Sequence, residues 1–460
     1  MSNSMKRNDV KVTKSNTDSC NINNVEIFPD FSEIHHGDLL GLSLSTQTTQ
    51  LTHGMHRFAA KYIPQVPGWA IENFCDQESV VLDPFMGSGT TLVEGLKHVR
   101  TVYGLDIDPL AKLITKAKTN KYDISSIESL SNIILKNKGH KVIGDELPME
   151  GVSNPLHWFN KENKEKLNFI FEKINSIEMK ENEREFFLCV FSSILRWVSN
   201  ADDQSQKTYV SGTLKKSPPD AWEVFERFLI KSINGIRSLD HTRSATCESK
   251  ILEGNALSAP LPNESIDMIV TSPPYVDSVD YMYNFMLEYF WLGPILGIRT
   301  RKEFNEMRRK SVGAKNPSEK CDVPPAAIKS MVCQEKIPSY RRAAVIKYFY
   351  EMEKHFKEAS RVLKPEARYI LVVGNSQSSN GIMPVHDCLT RLAAQFGLKI
   401  EKAFAYRIRR HYMKFPRKGR GGIILMDWVI ILQKTNNILN YEGQVLPIPD
   451  ISIGENEVAH

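Results

Sequence analysis

The chain has 460 residues, of which 25% are charged, and a formal net charge of +5. This length permits one large domain with insertions or two domains, and it excludes a small scaffold that needs disulfide or metal staples. No apolar run approaches the roughly 20 residues of a membrane span, and the polar N-terminus lacks the apolar core of a secretory signal, so we expect a cytoplasmic protein without a membrane partner.

Seven cysteines are scattered along the chain, and no two of them form a CxxC pair. An odd, scattered set is typical of reduced cysteines that pack in a core, rather than of a disulfide framework or a zinc site. We therefore predict no metal site.

Two strand–turn–helix units open the regular part of the chain. The apolar run SVVLDPF (79–85) breaks into the glycine turn GSG, and TTLVEGLKH then has helical spacing. TVYGLDIDP (101–109) is a second strand that ends in acids and leads into another helix. This β-α-β-α order predicts an α/β fold with a parallel sheet flanked by helices.

Changes in composition and periodicity along the chain predict an α/β core that two insertions interrupt. We expect a polar leader over residues 1–50 and a tail over residues 435–460. Helical periodicity predicts a large, mainly helical insertion over 121–249, and a polar, basic segment predicts a second insertion over 294–342. The α/β core is expected in three pieces, namely 51–120, 250–293 and 343–434.

The glycine turn has the composition of a cofactor loop. Gly87 and Gly89 allow backbone amides to approach a ligand closely, and the helix that follows offers unpaired N–H groups. Leu92 stands where a dinucleotide fingerprint has its third glycine, which disfavours a dinucleotide. Asp106, at the end of the next strand, is placed to accept hydrogen bonds from ribose hydroxyls. These residues predict a nucleoside-bearing cofactor.

The stretch TSPPY (271–275) follows a buried strand. Its two prolines lack N–H donors and fix φ, so the turn presents carbonyl groups and the Ser272 oxygen as acceptors. An exocyclic amino group is a matching donor, and Tyr275 supplies a ring on which a planar base can stack. KSPPD (216–220) has the same tripeptide without the strand or the aromatic residue, and we predict no such role for it.

A basic strip occupies YRIRRHYMKFPRKGR, between the last two predicted strands. It contains seven Lys or Arg residues and no acid, interleaved with aromatic residues. The pattern is typical of a hairpin that contacts nucleic-acid phosphates, and a solvated loop is the alternative. The basic residues are Arg407, Arg409, Arg410, Lys414, Arg417, Lys418 and Arg420.

Together these motifs resemble the amino-group DNA methyltransferases that use S-adenosylmethionine. DPFMGSGTT is similar to the family's FxGxG cofactor loop, HRFAAKYIPQVPGWAI to its methionine-binding segment, and GNAL to the segment that meets the adenine. The resemblance implies a Rossmann-like class I methyltransferase sheet. It also implies a set of cofactor-binding residues, namely Phe58, Lys61, Tyr62, Pro64, Asp83, Phe85, Gly87, Gly89, Thr90, Thr91, Asp106 and Asn255.

The resemblance extends to the catalytic motif. Ser-Pro-Pro-Tyr is associated in this family with cytosine N4, whereas Asp-Pro-Pro-Tyr is typical of adenine N6. It implies direct in-line methyl transfer to a flipped base, with Ser272, Pro273, Pro274 and Tyr275 as catalytic residues. The chain has no Pro-Cys pair, which cytosine C5 methylation uses. Adenine N6, an RNA acceptor and a non-catalytic DNA-binding subunit remain as alternatives.

The resemblance also implies partners. We expect double-stranded DNA as substrate, with the basic strip where the family places a hairpin near the flipped base. The two insertions are the candidates for target recognition, and a bacterial-type, nucleoid-associated location follows. A cognate restriction endonuclease is compatible with this reading. The target sequence and the oligomeric state are left open.

Overall fold

The computed structural model describes most of the chain. The described residues are 23–25, 27–42, 47–58, 61–203, 207–213, 215–276, 280–314, 323–332, 337, 339–378, 381–408 and 426–435. Their strands are β1 (Asn23–Val25), β2 (Leu39–Leu42), β3 (Val80–Asp83), β4 (Thr101–Gly104), β5 (Glu248–Ile251), β6 (Ile266–Thr271), β7 (Leu363–Val373), β8 (Ser376–Ser378), β9 (Gly381–Met383), β10 (Leu398–Arg407) and β11 (Met426–Lys434).

The α-helices alternate with the strands at both ends of the fold and follow one another in its middle. They are α1 (Gln65–Phe74), α2 (Thr90–Gly95), α3 (Pro109–Thr119), α4 (Ile124–Leu135), α5 (Pro155–Trp158), α6 (Lys161–Ser176), α7 (Glu181–Val198), α8 (Ala221–Thr242), α9 (Tyr281–Asn284), α10 (Met286–Leu292), α11 (Arg301–Lys310), α12 (Ser339–Val362) and α13 (Val385–Ala394). None of these described helices combines the length and apolarity needed to span a lipid bilayer.

Nine of the described strands form one sheet, in the order β1-β2-β10-β11-β7-β6-β3-β4-β5. Neighbouring strands run parallel except at β11, which is antiparallel to both β7 and β10. Consecutive residues of β3 face opposite sides, so Val81 packs with α1 and α2 while Leu82 packs with α12 and α13. The prediction of a Rossmann-like α/β sheet flanked by helices is confirmed.

The strand order reverses between β3 and β6. The chain leaves β3 for β4 and then β5 on one side, and it returns to β6 on the other side of β3. The connections that follow β3 and β6 therefore diverge, and they leave a crevice at the carboxyl ends of these two strands. In open α/β sheets this is where ligands bind. The glycine loop follows β3 and TSPPY follows β6.

The expected leader contributes to the sheet. β2 lies within residues 1–50, all four of its residues are buried, and it pairs with β10 through Ala405 and Leu39. β1 in turn pairs with β2. The physical reason is that β10 would otherwise expose an unpaired row of backbone donors and acceptors. The sequence did not predict β2, because a short apolar run between polar residues has too little periodicity to indicate a strand.

The segment 121–249 is helical, and it is not a separate body. Its helices α4 to α8 share one hydrophobic cluster with α3 and α10, and this cluster includes Ile114, Phe187 and Trp291. α7 is buried along most of its length. The expected insertion therefore packs directly on the α/β core, beside the helices that follow β4 and TSPPY. Its role in target recognition stays a prediction.

Gly89 is required by packing between α2 and α3. It has φ +73°, and a Cβ there would lie 2.6 Å from Thr115 Cγ2. Gly139 also has positive φ, at +92°, but a Cβ there would meet nothing within 4 Å. We expect Gly139→Ala to cost only the left-handed strain, whereas Gly89→Ala adds about 1–3 kcal/mol of overpacking.

Thermal unfolding of the two variants and the parent chain measures this difference. Gly89→Ala is expected to unfold at a clearly lower temperature than Gly139→Ala. Equal unfolding temperatures would contradict the packing role of Gly89.

Candidate active site at the carboxyl ends of β3 and β6

The glycine loop is fixed by hydrogen bonds at both of its sides. Gly87, with φ +47°, donates its N–H to Asp106 Oδ2 at 2.9 Å, and its carbonyl accepts from Thr115 Oγ1 at 3.0 Å. The carbonyl of Ser88 accepts from Lys118, a buried lysine of α3. The loop is thus held in shape between β3, β4 and α3 without a ligand.

Asp106 stands at the mouth of the crevice. Its two carboxylate oxygens accept from the N–H groups of Gly87 and Asp108, each at 2.9 Å. Burial and the neighbouring Asp108 carboxylate raise the pKa of Asp106 to about 7. The residue is half-buried and lines the crevice, and its carboxylate has acceptor capacity beyond these two hydrogen bonds.

A cavity of about 440 Å³ occupies the crevice. Residues from the methionine-like segment, the glycine loop, the end of β4, the GNAL segment and TSPPY meet in its wall. It brings together ten of the predicted site residues, namely Phe58, Lys61, Tyr62, Phe85, Gly87, Thr90, Asp106, Asn255, Ser272 and Pro274. Segments more than two hundred residues apart in sequence, such as those of Phe58 and Pro274, thus share one wall.

Six of the predicted cofactor-binding and catalytic residues lie outside that wall. They are Pro64, Asp83, Gly89, Thr91, Pro273 and Tyr275. Pro64 immediately precedes α1, and Gly89 packs against α3. Asp83 and Thr91 are buried behind the glycine loop. The placement of Asp83, Gly89 and Thr91 supports a role in shaping the loop.

Asp83 connects the parts of the site. Its carboxylate accepts from Thr271 Oγ1 at 2.6 Å, from Thr91 Oγ1 at 2.5 Å and from the Phe85 N–H at 3.1 Å. The Tyr62 hydroxyl is 3.4 Å from the same carboxylate. Burial raises the pKa of Asp83 to about 6, against the opposing effect of these hydrogen bonds. One side chain thereby joins β3, β6, α2 and the methionine-like segment.

Tyr275 is oriented by a partner that the sequence did not reveal. Its hydroxyl donates to Asp427 Oδ1 at 2.6 Å, and the Tyr406 hydroxyl donates to Asp427 Oδ2 at 3.0 Å. Burial raises the pKa of the Asp427 carboxyl. A carboxylate inside the apolar strand MDWVIIL was the available signal, because a buried acid needs partners. The backbone N–H of Tyr275 donates to the Tyr281 hydroxyl at 3.3 Å.

The second insertion also reaches the cavity. Met307 and Lys310, from α11, stand in its wall together with Met282 of α9. Arg308 holds α11 in place, because its guanidinium pairs with Asp280 and lies 4.9 Å from the centre of the Tyr283 ring. The basic composition of this segment predicted a separate insertion, and no local signal indicated that it closes the cavity.

Most of the basic strip lies outside the described residues. Arg407 is the last residue of β10, and β11 pairs with β10 in antiparallel register, so the strip connects two adjacent strands. The members outside the description are Arg409, Arg410, Lys414, Arg417, Lys418 and Arg420. Their predicted contact with DNA stays a prediction.

The KSPPD stretch lies outside the cavity wall, and its surroundings differ from those of TSPPY. Ser217 is exposed, and Asp220 caps α8 by accepting from the Trp222 N–H at 2.9 Å. Lys216 pairs with Asp203 at 2.9 Å. This second Ser-Pro-Pro precedes a helix and lines no part of the cavity, which makes it a matched control for TSPPY.

Comparison with known proteins gives a consistent result. A family model described as DNA methylase, for N6 and N4 enzymes, matches residues 10–117. The Type II methyltransferase M.MvaI of Kocuria varians is 28% identical over 406 residues, covering 82% of this chain and 86% of its own. M.BsoBI of Geobacillus stearothermophilus is 22% identical over 456 residues, covering 85% and 87%. M.MjaII of Methanocaldococcus jannaschii is 29% identical over 165 residues, covering 34% and 31%.

Similar solved structures are more distant. A SAM-dependent methyltransferase of Methanosarcina mazei is 11% identical, covers 80% of this chain and 97% of its own, and has a TM-score of 0.27. TrmN of Thermus thermophilus is 11% identical, covers 81% and 49%, and has the same TM-score of 0.27. Likeness at this level carries no argument for function. This chain is therefore similar to a family of DNA methylases over residues 10–117 and to Type II methyltransferases over most of its length.

Proposed function

We propose that the chain transfers a methyl group from S-adenosylmethionine to the exocyclic N4 of a cytosine that is flipped out of double-stranded DNA. The observation that carries this proposal is the shared cavity. Ser272 and Pro274 of TSPPY line it together with Gly87 and Asp106 of the cofactor side. An acceptor-rich turn and a nucleoside site therefore open onto the same space, as a direct transfer requires.

The wall of the cavity fits the cofactor in chemical terms. Asp106 would accept from the ribose hydroxyls, and Asn255 would meet the adenine. Lys61 would bind the methionine carboxylate, because it lines the cavity and its ammonium, which donates to the His53 carbonyl at 2.8 Å, has no carboxylate partner among the described residues. Burial lowers the pKa of Lys61 to about 8, which a bound carboxylate would reverse. S-adenosylmethionine supplies a methyl group on a sulfonium, which is a good leaving group.

The Ser-Pro-Pro turn would prepare the acceptor nitrogen. The lone pair of an aromatic amino group is delocalised into the ring, so the nitrogen is a poor nucleophile. Hydrogen bonds from this group to Ser272 Oγ and the Pro273 carbonyl would favour a pyramidal nitrogen. The nitrogen would then take the methyl group by in-line attack as the bond from methyl to the sulfonium sulfur breaks, and it would release its additional proton to solvent. No residue of the chain needs to form a covalent intermediate.

Tyr275 would supply the surface on which the base stacks. Its hydroxyl is tied to Asp427, which in turn holds Tyr406. Two hydrogen bonds to one buried carboxylate limit rotation of the ring, so the base meets a surface of fixed direction. Asp427 is therefore a positioning residue, acting through Tyr275.

Cytosine N4 is favoured over adenine N6 by Ser272 alone. Both bases present an exocyclic amino group, and the remaining residues of the turn serve either of them. Adenine N6 is the alternative. DNA contact is assigned to the basic strip and target recognition to the insertions at 121–249 and 294–342. The Type II designation of the relatives extends the proposal to a restriction–modification system.

The two Ser-Pro-Pro stretches give the first test. Ser272→Ala removes one positioned acceptor, and comparable losses lower kcat about 10²- to 10³-fold. Ser217→Ala removes the same hydroxyl from an exposed site and is expected to leave kcat unchanged. Tritiated methyl incorporation into DNA measures both, and calorimetry is expected to show near-normal cofactor affinity in both. Equal activity of the two variants would remove Ser272 from the mechanism.

Asp106 gives a second test through pH. Its pKa lies at about 7, and ribose hydroxyls donate to the carboxylate form. Affinity is therefore complete above this pKa and falls as the pH drops through it. We expect 5′-methylthioadenosine, which has the ribose but no amino-acid part, to bind about tenfold more weakly at pH 6 than at pH 8.

Asp106→Asn is the control, since an amide does not titrate in this range. Its affinity is expected to be low and independent of pH. A parent chain whose affinity is the same at both pH values would show that Asp106 does not hold the ribose as a titrating carboxylate.

A further inference from the structure

A second cavity, of about 120 Å³, lies between the end of α7 and the junction of α9 and α10. It is lined by polar side chains although it adjoins the hydrophobic cluster of the helical insertion. Five of these polar side chains are more than nine-tenths buried. They include His56, Asn284 and Glu288, of which 3%, 7% and 5% are exposed. We call this cavity the Glu288 pocket.

Each of these three side chains carries an unsatisfied atom. His56 Nε2, Asn284 Nδ2 and Glu288 Oε2 have no hydrogen-bond partner within the described part of the chain. Buried polar atoms in folded proteins are nearly always paired, with protein, water or ligand. Three such atoms around one cavity indicate that the pocket holds a polar occupant.

The hydrogen-bonding character of the wall follows from its neighbours. His56 Nδ1 lies 2.6 Å from the Arg57 carbonyl, which only accepts, so the ring proton is on Nδ1 and Nε2 is an acceptor. Burial lowers the pKa of His56 to about 4, which keeps the ring neutral. Glu288 as a carboxylate is a second acceptor, and Asn284 Nδ2 is a donor. These three unsatisfied atoms thus offer two acceptors and one donor, in a wall that also contains Arg57, Arg196 and Asp203.

We propose that the Glu288 pocket binds the Watson–Crick edge of a guanine in the DNA substrate, separate from the base that is methylated. Guanine presents N1–H and N2–H donors beside the O6 acceptor, which complements two acceptors and one donor. Adenine, cytosine and thymine each present a single donor group on this edge. The inference rests on the proposed function only in taking DNA as the source of the guanine.

The size and rim of the pocket suit one edge of a base. A cavity of about 150 Å³ accommodates a benzene ring, so about 120 Å³ admits part of a purine and leaves its sugar outside. Trp197 also lines the pocket and is 45% exposed, which gives a planar base a ring to stack on. Phe285 lines it as well, and its ring lies 4.9 Å from that of Phe58 in the wall of the larger cavity.

The pocket is held by a network that spans three segments. Arg196 Nη2 donates to the Asp202 carbonyl at 2.7 Å, and Arg196 Nη1 donates to Thr208 Oγ1 at 3.1 Å. The Thr208 hydroxyl donates to the Asn284 carbonyl at 2.8 Å. Arg57 and Arg196 favour the charged form of Glu288, but burial outweighs them and raises its pKa to about 7. N–H donors from a bound guanine would restore the carboxylate.

Binding of free nucleotides tests the pocket without any methyl transfer. The full chain is titrated with dGMP, dIMP and dAMP by ligand-observed NMR, with S-adenosylhomocysteine in excess to block the larger cavity. dIMP lacks only the N2 amino group, so we expect dGMP to bind about tenfold or more tightly than dIMP. dAMP is expected to be weaker still.

Glu288→Gln keeps the shape of the side chain and is expected to remove the preference for dGMP over dIMP. Glu226→Gln is the control and should retain it, because Glu226 is a half-buried residue of α8 that pairs with Lys138 at 2.8 Å and lines neither cavity. If Glu288→Gln unfolds at a lower temperature than the parent chain, Asn284→Ala replaces it and is expected to weaken dGMP binding.

Equal binding of dGMP and dIMP to the parent chain would overturn the proposal, and so would the absence of binding at millimolar nucleotide, which would leave the pocket with ordered water only. A chain that prefers dGMP but methylates no DNA would keep the pocket and refute the proposed function instead. The two failures are therefore distinguishable.

Discussion

The buried carboxylate of Asp83 sets the relative position of the two halves of the candidate active site. It ends β3, immediately before the glycine loop, and it accepts from Thr271, the residue immediately before Ser272. It also accepts from Thr91 at the start of α2. Burying a carboxylate is unfavourable, and the raised pKa of about 6 reflects this. The hydrogen bonds offset that cost only when β3, β6 and α2 are in register. The Asp83 carboxylate therefore destabilises a misaligned arrangement of these elements and stabilises the aligned arrangement.

The remaining geometry builds on that register. The strand order places the ends of β3 and β6 side by side, and the loops that follow them diverge to form the cavity. The helical insertion packs on α3 and α10 through a common hydrophobic cluster. Both cavities adjoin α9, the first helix after TSPPY, and the Glu288 pocket also adjoins α10. A contact made in the helical insertion is therefore linked to the TSPPY turn through α9 and α10.

The sequence predicted the features that are local. Strand–glycine–helix texture and the acid at the end of β4 led to the cofactor side of the cavity, and the strand before TSPPY distinguished it from KSPPD. Ten of the predicted site residues share the cavity wall as a result. These positions could be located from the sequence because a strand end and a glycine turn have signatures within a few residues, and their roles in binding and catalysis stay predictions.

Features that depend on distant partners were missed. Asp427 and Tyr275 are 152 residues apart, and no local pattern links them. The role of Gly89 depends on Thr115 of another helix, and the pairing of β2 depends on β10. Met307 and Lys310 reach the cavity only because Arg308 anchors α11 to Asp280. In each case tertiary packing decided the outcome, and composition or periodicity did not encode it.

The central claim is that the Ser-Pro-Pro-Tyr turn presents acceptors to the amino group of cytosine. Its most direct test is mass spectrometry of nucleosides from the DNA of cells that express the chain, with cells expressing the Ser272→Ala variant for comparison. The account predicts N4-methylcytosine in the first DNA and little or none in the second. N6-methyladenine, or no methylated base in either DNA, would contradict it.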